Sequence, residues 1–316
     1  MGNSDSASTS PQLKAVRVAA AFAFSLAVLK GLAFVQSGSV ALLASLVDSM
    51  LDGLASLVNL VAIRYALVPA DDGHRFGHGK AEPLAALAQT AFITGSGLFV
   101  LLEALRRYTL DEPIAPQGMS GIVVMLIAIV GTAALVLYQR KIARKTGSLV
   151  VAADSLHYLS DMLSNVAVLA ALILASQPAL WWVDPVAAIL VALYVLHSAY
   201  SVGRQALGQL MDHELPADMR KAIADAACQE PGVLGIHDLK TRAAGPYRFV
   251  QLHLEVDGSL QLDTAHAIGD RVAERVRGAC PDAQVIIHQD PVNPADYAST
   301  GAANSTMNNN SPASTA

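Results

Sequence analysis

The chain has 316 residues, 53% of them apolar and only 15% charged, with a formal net charge of −5. That apolar excess, with a positive mean hydropathy, excludes an ordinary soluble enzyme of this length, and no nucleic-acid partner is expected. The net charge says little by itself; its distribution along the chain says more.

Several apolar runs reach the roughly 18–20 residues that cross a bilayer. Residues 84–102, 119–137, 162–183 and 185–203 carry no charge, and two further stretches, about 13–36 and 39–67, carry a few. Residues 1–12 read as a disordered N-terminus. Span 1 covers about 13–36, and its Lys30 is expected to snorkel towards the outer surface. The turn QSGS is short enough to force an antiparallel hairpin with span 2, about 39–67. The polar connection PADDGHRFGHGKAEP leads to span 3, about 82–108, and the loop TLDEPIAPQG to span 4, about 118–139. The basic segment QRKIARKTGS reads as a short inner loop before span 5, about 148–176. Trp181 and Trp182 suit an interfacial aromatic belt before span 6, about 184–208.

Charge sets the orientation. With the N-terminus inside, the cytoplasmic segments hold Lys14, Arg17, Arg64, Arg75, Lys80, Arg140, Lys141, Arg144, Lys145 and Arg204. The other side holds Arg106 and Arg107 beside Asp111 and Glu112. Positive-inside asymmetry places both termini in the cytoplasm, as an even number of spans requires. Residues 13–209 therefore read as a membrane α-helical bundle of six transmembrane helices surrounded by lipid.

The composition becomes mixed near residue 210. LPADMRKAIADAACQE reads as a helix with Pro216 in its first turn. LGIHDLKTRAAG and YRFVQLHLEVDG alternate around Gly245-Pro246 and read as a hairpin. LDTAHAIGDRVAERVRGA reads as an amphipathic helix with Asp263 as its N-cap, and DAQVIIHQD as a third strand. The order αββαβ over 210–291 predicts a cytoplasmic α+β domain of ferredoxin-like type. Cys228 and Cys280 both fall in this part, where a disulfide is not expected. Residues 292–316, rich in Ser, Asn and Ala, read as a disordered tail.

Four ionisable residues stand inside apolar spans as two pairs of equal spacing: Asp48 with Asp52 in span 2, and His157 with Asp161 in span 5. An i,i+4 spacing puts each pair on one helix face. Asp52 lies about 13 residues from the outer end of its span and Asp161 about 13 from the inner end, so at about 1.5 Å per residue each is roughly 20 Å deep. A charge at that depth costs about 2.5–3.5 kcal/mol on insertion scales. Two helices pooling three carboxylates and an imidazole there make a tetrahedral O₃N site suited to a divalent first-row metal, Zn2+ above all, with Cd2+ and Fe2+ also accommodated.

The connection between spans 2 and 3 offers Asp71, His74 and His78, a spacing that allows a second metal site at the cytoplasmic surface. The C-terminal part carries His237, His253, His266, His288 and Asp290. His237 and His253 fall on paired strands, and His288 and Asp290 share one strand face. Two other classes of function compete. A membrane-embedded metalloenzyme would want an open coordination position and a separate base motif such as HExxH, and no enzyme is expected here. A membrane-anchored metal sensor would leave the buried ligand set without a purpose.

The segments LVDSMLDGLAS, PADDGHRFGHGKAEPLAALAQ, ADSLHYLSDMLSN, GIHDLKTR, QLHLEV and VIIHQDP resemble the cation diffusion facilitator family over about 13–291. Within it, the chain is similar to bacterial ferrous-iron and zinc efflux pumps. The resemblance implies a homodimeric metal/proton antiporter of the bacterial cell inner membrane, exporting metal in exchange for protons. It implies a transport site at Asp48, Asp52, His157 and Asp161, and a loop site at Asp71, His74 and His78. In the C-terminal domain it implies a binuclear site, in which Asp290 bridges one ion held by His237 and His253 and another held by His266 and His288. It further implies an interface salt bridge between Lys80 and Asp212. Asp48 stands where many zinc-restricted members have His, which implies tolerance of cadmium and iron.

Overall fold

The structure, a computed structural model, describes residues 10–37, 40–110, 119–174 and 182–293. The sequence readings placed on residues 1–9, on the QSGS turn at 38–39, on the loop holding Asp111 and Glu112, on Trp181 and on the tail from 294 lie outside the described residues. The chain divides into two compact units, Met1–Leu210 and Met211–Ala316.

Among the described residues of the first unit are six long helices: α1 (Pro11–Ser37), α2 (Val40–Ala66), α3 (Ala81–Leu110), α4 (Met119–Thr146), α5 (Leu149–Leu174) and α6 (Val183–Leu210). Among the described residues, α1, α2, α3, α4 and α6 each contain a stretch long and apolar enough to cross a membrane. In hydrocarbon a helix is favoured because it satisfies its own backbone polar groups. The outer surfaces remain apolar, with Phe24, Phe99, Val130 and Leu137 exposed, as lipid-facing positions should be. Inside, small and branched residues interlock: Val16, Ile63, Val150 and Val151 form one cluster, and Ile93, Leu135, Leu156 and Val195 another. The packing is uneven. Helix α3 lies along α6 and α1 along α2, whereas α2 and α5 touch only sparsely.

Two expectations for this unit change. The basic segment predicted as an inner loop is helix: Arg140, Lys141, Arg144 and Lys145 occupy the last turns of α4, where cations complement the negative end of the helix dipole. The true connection is Gly147-Ser148. Gly147 has φ +70°, and its N–H closes the helix onto the Ala143 carbonyl at 2.8 Å, a left-handed C-terminal cap that an L side chain would strain. Lys30 does not snorkel outward. Its Nζ donates to Ser49 Oγ at 2.7 Å and to the Ser45 carbonyl at 3.1 Å, both on α2.

The second unit contains α7 (Ala217–Cys228), β1 (Val233–Ala244), β2 (Tyr247–Asp257), α8 (Leu262–Ala279) and β3 (Ala283–Val292). The sheet order is β1-β2-β3, with β1 antiparallel and β3 parallel to β2. Strand alternation divides β2 into two faces: Val250, Leu252, Leu254 and Val256 are buried, while Gln251, His253, Glu255 and Asp257 point the other way. The buried row packs with Ile223 of α7 and Ile268, Val272 and Val276 of α8. Each large side chain so buried contributes about 1.5–3 kcal/mol. Asp263 is not the N-cap of α8. Gln261 holds that position, and Asp263 lies in the first turn, accepting from Thr264 N at 2.7 Å. Pro216 likewise precedes α7 as its N-cap residue. Cys228 and Cys280 are free thiols.

Candidate metal centres

Among the described residues, three groups of histidine and carboxylate converge. The first joins α2 to α5, where those helices otherwise make little contact. His157 Nε2 lies 2.8 Å from Asp52 Oδ1 and 3.7 Å from Asp161 Oδ2. Their three ligand atoms fall within 4.8 Å of one another. Asp161 Oδ2 is a buried atom with no hydrogen-bond partner, so one lone-pair donor in this cradle is left unmatched by protein. Asp48 is not part of that close group; it stands one turn along α2 from Asp52. Tyr158, adjacent to His157, is fixed by a 2.9 Å hydrogen bond with Ser56 Oγ of α2.

The second group lies in the connection between α2 and α3. Asp71 folds back on its own chain: Oδ1 accepts from Gly73 N at 2.9 Å and from His74 N at 2.6 Å. The His74 N–H foremost, aided by that of Gly73, holds the Asp71 carboxyl below its ordinary range and so favours the ionised form. His74 Nδ1 and His78 Nε2 each approach this carboxylate at 3.4 Å. His78 is buried against Tyr65, with ring centroids 4.5 Å apart, and its Nδ1 faces the Val68 carbonyl at 3.4 Å. That contact leaves Nε2 turned towards Asp71.

The third group occupies the open face of the sheet. Strand register places His237 of β1, His253 of β2 and His288 of β3 side by side in one row. Two residues further along, Asp290 lies beside Glu255. Asp290 Oδ2 meets His253 Nδ1 at 2.8 Å and His237 Nε2 at 3.3 Å, while Oδ1 meets His288 Nε2 at 3.2 Å. The structure does not bring His266 into this group: it is exposed at the start of α8, 3.6 Å from Asp270. Of the two remaining predicted positions, Lys80 Nζ donates to the Leu210 carbonyl at 3.3 Å, and Asp212 pairs with Arg242 at 3.1 Å.

Three acidic residues at these centres escaped sequence reasoning. Glu255 accepts from His237 Nδ1 at 2.8 Å. Asp238, in a bulge with φ +49°, has Oδ2 3.7 Å from His253 Nε2. A hydrogen bond from Lys240 holds the Asp238 carboxyl below its usual range. Asp154, fully buried one turn before His157, accepts from Asn59 Nδ2 at 3.0 Å, from Gln89 Nε2 at 3.3 Å and from Gln139 Nε2. It thereby ties α5 to α2, α3 and α4. A signal for Asp154 existed in the spacing D-x-x-H-x-x-x-D, which puts it on the helix face of His157 and Asp161.

Comparison with known proteins covers both units. Residues 16–211 match the family model described as the cation efflux transmembrane domain, and residues 215–292 the cation efflux protein cytoplasmic domain. A cation-efflux pump FieF of Shewanella oneidensis is 51% identical over 278 residues, spanning 88% of this chain and 93% of the relative. One of Klebsiella pneumoniae subsp. pneumoniae is 46% identical over 282 residues, spanning 88% and 92%. A solved structure of CzrB in its Zn form aligns with 26% of this chain and 93% of its own at 35% identity, with a TM-score of 0.24, below the level that implies a shared overall fold.

Proposed function

The chain belongs to the cation efflux family of membrane transporters, and we propose that it exports Zn2+, with Cd2+ and Fe2+ as further substrates, from the cytoplasm in exchange for protons. It is a transporter rather than an enzyme, as its relatives are cation-efflux pumps. The observation that carries the reading is the meeting of Asp52, His157 and Asp161 from two sparsely packed helices. Nitrogen and carboxylate oxygen suit a borderline divalent cation, and Asp48, one turn away, supplies the fourth ligand.

Metal binding requires neutral imidazole and ionised carboxylates, so protons and metal compete for the same lone pairs. A site that swaps one for the other on opposite sides of the membrane is an antiporter. Because α2 and α5 meet at this cluster and otherwise pack sparsely, its occupant biases how they sit, and a ligand shifts such an equilibrium by its differential affinity for the two states.

All six helices cross a bacterial inner membrane with both termini cytoplasmic, in keeping with the basic end of α4. The second unit is a ferredoxin-like domain through which two copies form a homodimer, aided by the Lys80–Asp212 pair. Its histidine row is a regulatory metal site. The split of Asp290, one oxygen towards His237 and His253 and the other towards His288, supports a bridging role. His266 would then have to swing in from the exposed position it holds here. Asp71, His74 and His78 form a further cytoplasmic site. The test is proton-driven zinc uptake into inverted vesicles: Asp161→Ala should abolish it, and undiminished uptake by a correctly inserted variant refutes the transport site.

A further inference from the structure

We propose that Glu255 is the positioning residue that sets the tautomer and aim of His237 at the metal centre of the second unit. The inference rests on reading that cluster as a metal site and assigns within it a residue that the ligand set omits. Glu255 sits on the open face of β2, two residues beyond His253 and beside Asp290 in register. Its partner on β1 is Gly235, which has no side chain. The carboxylate therefore has room to lean diagonally along the strand to His237, where Oε1 lies 2.8 Å from Nδ1.

With Nδ1–H donated to Glu255, the imidazole keeps its lone pair on Nε2. That nitrogen is the one facing Asp290 Oδ2 at 3.3 Å, the oxygen that also meets His253 Nδ1. A metal-ligating histidine is commonly fixed in this way, by a carboxylate on its other nitrogen. Bonding between the strands gives no other reason for the contact, since the β1–β2 ladder is already formed by backbone. Glu255 Oε2 is buried without a hydrogen-bond partner. A half-satisfied buried carboxylate is unfavourable for folding alone, and is better explained by the imidazole it orients.

The experiment measures Zn2+ affinity of the full-length protein in detergent by competition with a chromophoric chelator. The background carries Asp161→Ala and Asp71→Ala to silence the other two clusters. Glu255→Ala should weaken binding about 10- to 100-fold. Glu255→Gln, which keeps an acceptor for Nδ1–H but no charge, should fall between it and the parent, with the metal-free melting temperature unchanged. Should Glu255→Ala not fold, Glu255→Gln alone decides. Affinity within twofold of the parent overturns the proposal, provided that His237→Ala does weaken binding. A loss matched by an equal fall in metal-free stability also overturns it, because the residue is then structural. If His237→Ala itself leaves binding intact, the metal-site reading fails instead.

Discussion

Replacing Asp154 with alanine tests how the transmembrane unit is held together. The carboxylate receives amide hydrogens from Asn59, Gln89 and Gln139, each on a different helix and each buried. Alanine leaves three donors unmatched. Soluble-protein scales assign about 1–3 kcal/mol to each orphaned buried group, whereas interhelical bonds in membranes average about 0.6 kcal/mol. The Gln89 bond, at 3.3 Å, belongs at the low end. Relief from burying the carboxyl group offsets part of the loss, so the two scales meet at about 2–4 kcal/mol. At roughly 2–4 °C per kcal/mol for a unit of this size, the melting temperature in detergent should fall by roughly 5–15 °C. Asp154→Asn should behave differently. Gln139 Oε1 is buried without a partner, so a flip of that amide would offer it to the new N–H group. This variant should stay within about 1 kcal/mol of the parent. An alanine variant as stable as the parent, or an asparagine variant as unstable as alanine, refutes the reasoning.

Glu230 gives a pH-dependent prediction. Hydrogen bonds from Arg271 foremost, at 2.6 Å, and then Arg275 hold its carboxyl below the ordinary 4.5. A lowered folded-state value means that the contribution is complete above the unfolded value and vanishes as pH falls through the folded one. The stability gap between the parent and Glu230→Gln should thus be present at pH 7 and close below the ordinary carboxylate range, as read by urea unfolding of the full chain at a pH series. Gly232 has φ +94°, and a Cβ there would stand 2.8 Å from Ile268 Cδ1. Gly232→Ala should therefore destabilise the sheet unit by about 1–3 kcal/mol, seen as earlier loss of hydrogen-exchange protection in β1. His78 is both packed and a candidate ligand: His78→Ala should lower thermal stability as well as zinc affinity, while exposed His74→Ala should lower affinity alone.

Much of the architecture was legible because lipid imposes it. A run of apolar residues with no charge has few alternatives to a helix, and the αββαβ order followed from local periodicity. What escaped was mostly what depends on neighbours. The segment after residue 139 looked like a loop because it is charged, yet charge is compatible with a helix whose end leaves the apolar layer, and Gly147 alone marks the stop. Asp154 was passed over because its partners, Asn59, Gln89 and Gln139, come from three other spans that only packing joins. Glu255 was more accessible. HLE at 253–255 has the same alternation as HQD at 288–290, and parallel pairing puts the two acids together. His266 shows the opposite limit: it was grouped with the other histidines by residue type and by resemblance, without a strand position to place it, and the single chain does not fold it towards Asp290.

The three histidines on the sheet occupy one row only because each strand is aligned to the residue. Side chains alternate, so sliding β3 by a single position would send His288 and Asp290 to the hydrophobic side and bring Gln289 to the open one. A bound ion would then favour the correct alignment over its neighbours. An ion held there would then proofread the pairing of the very strands that supply its ligands.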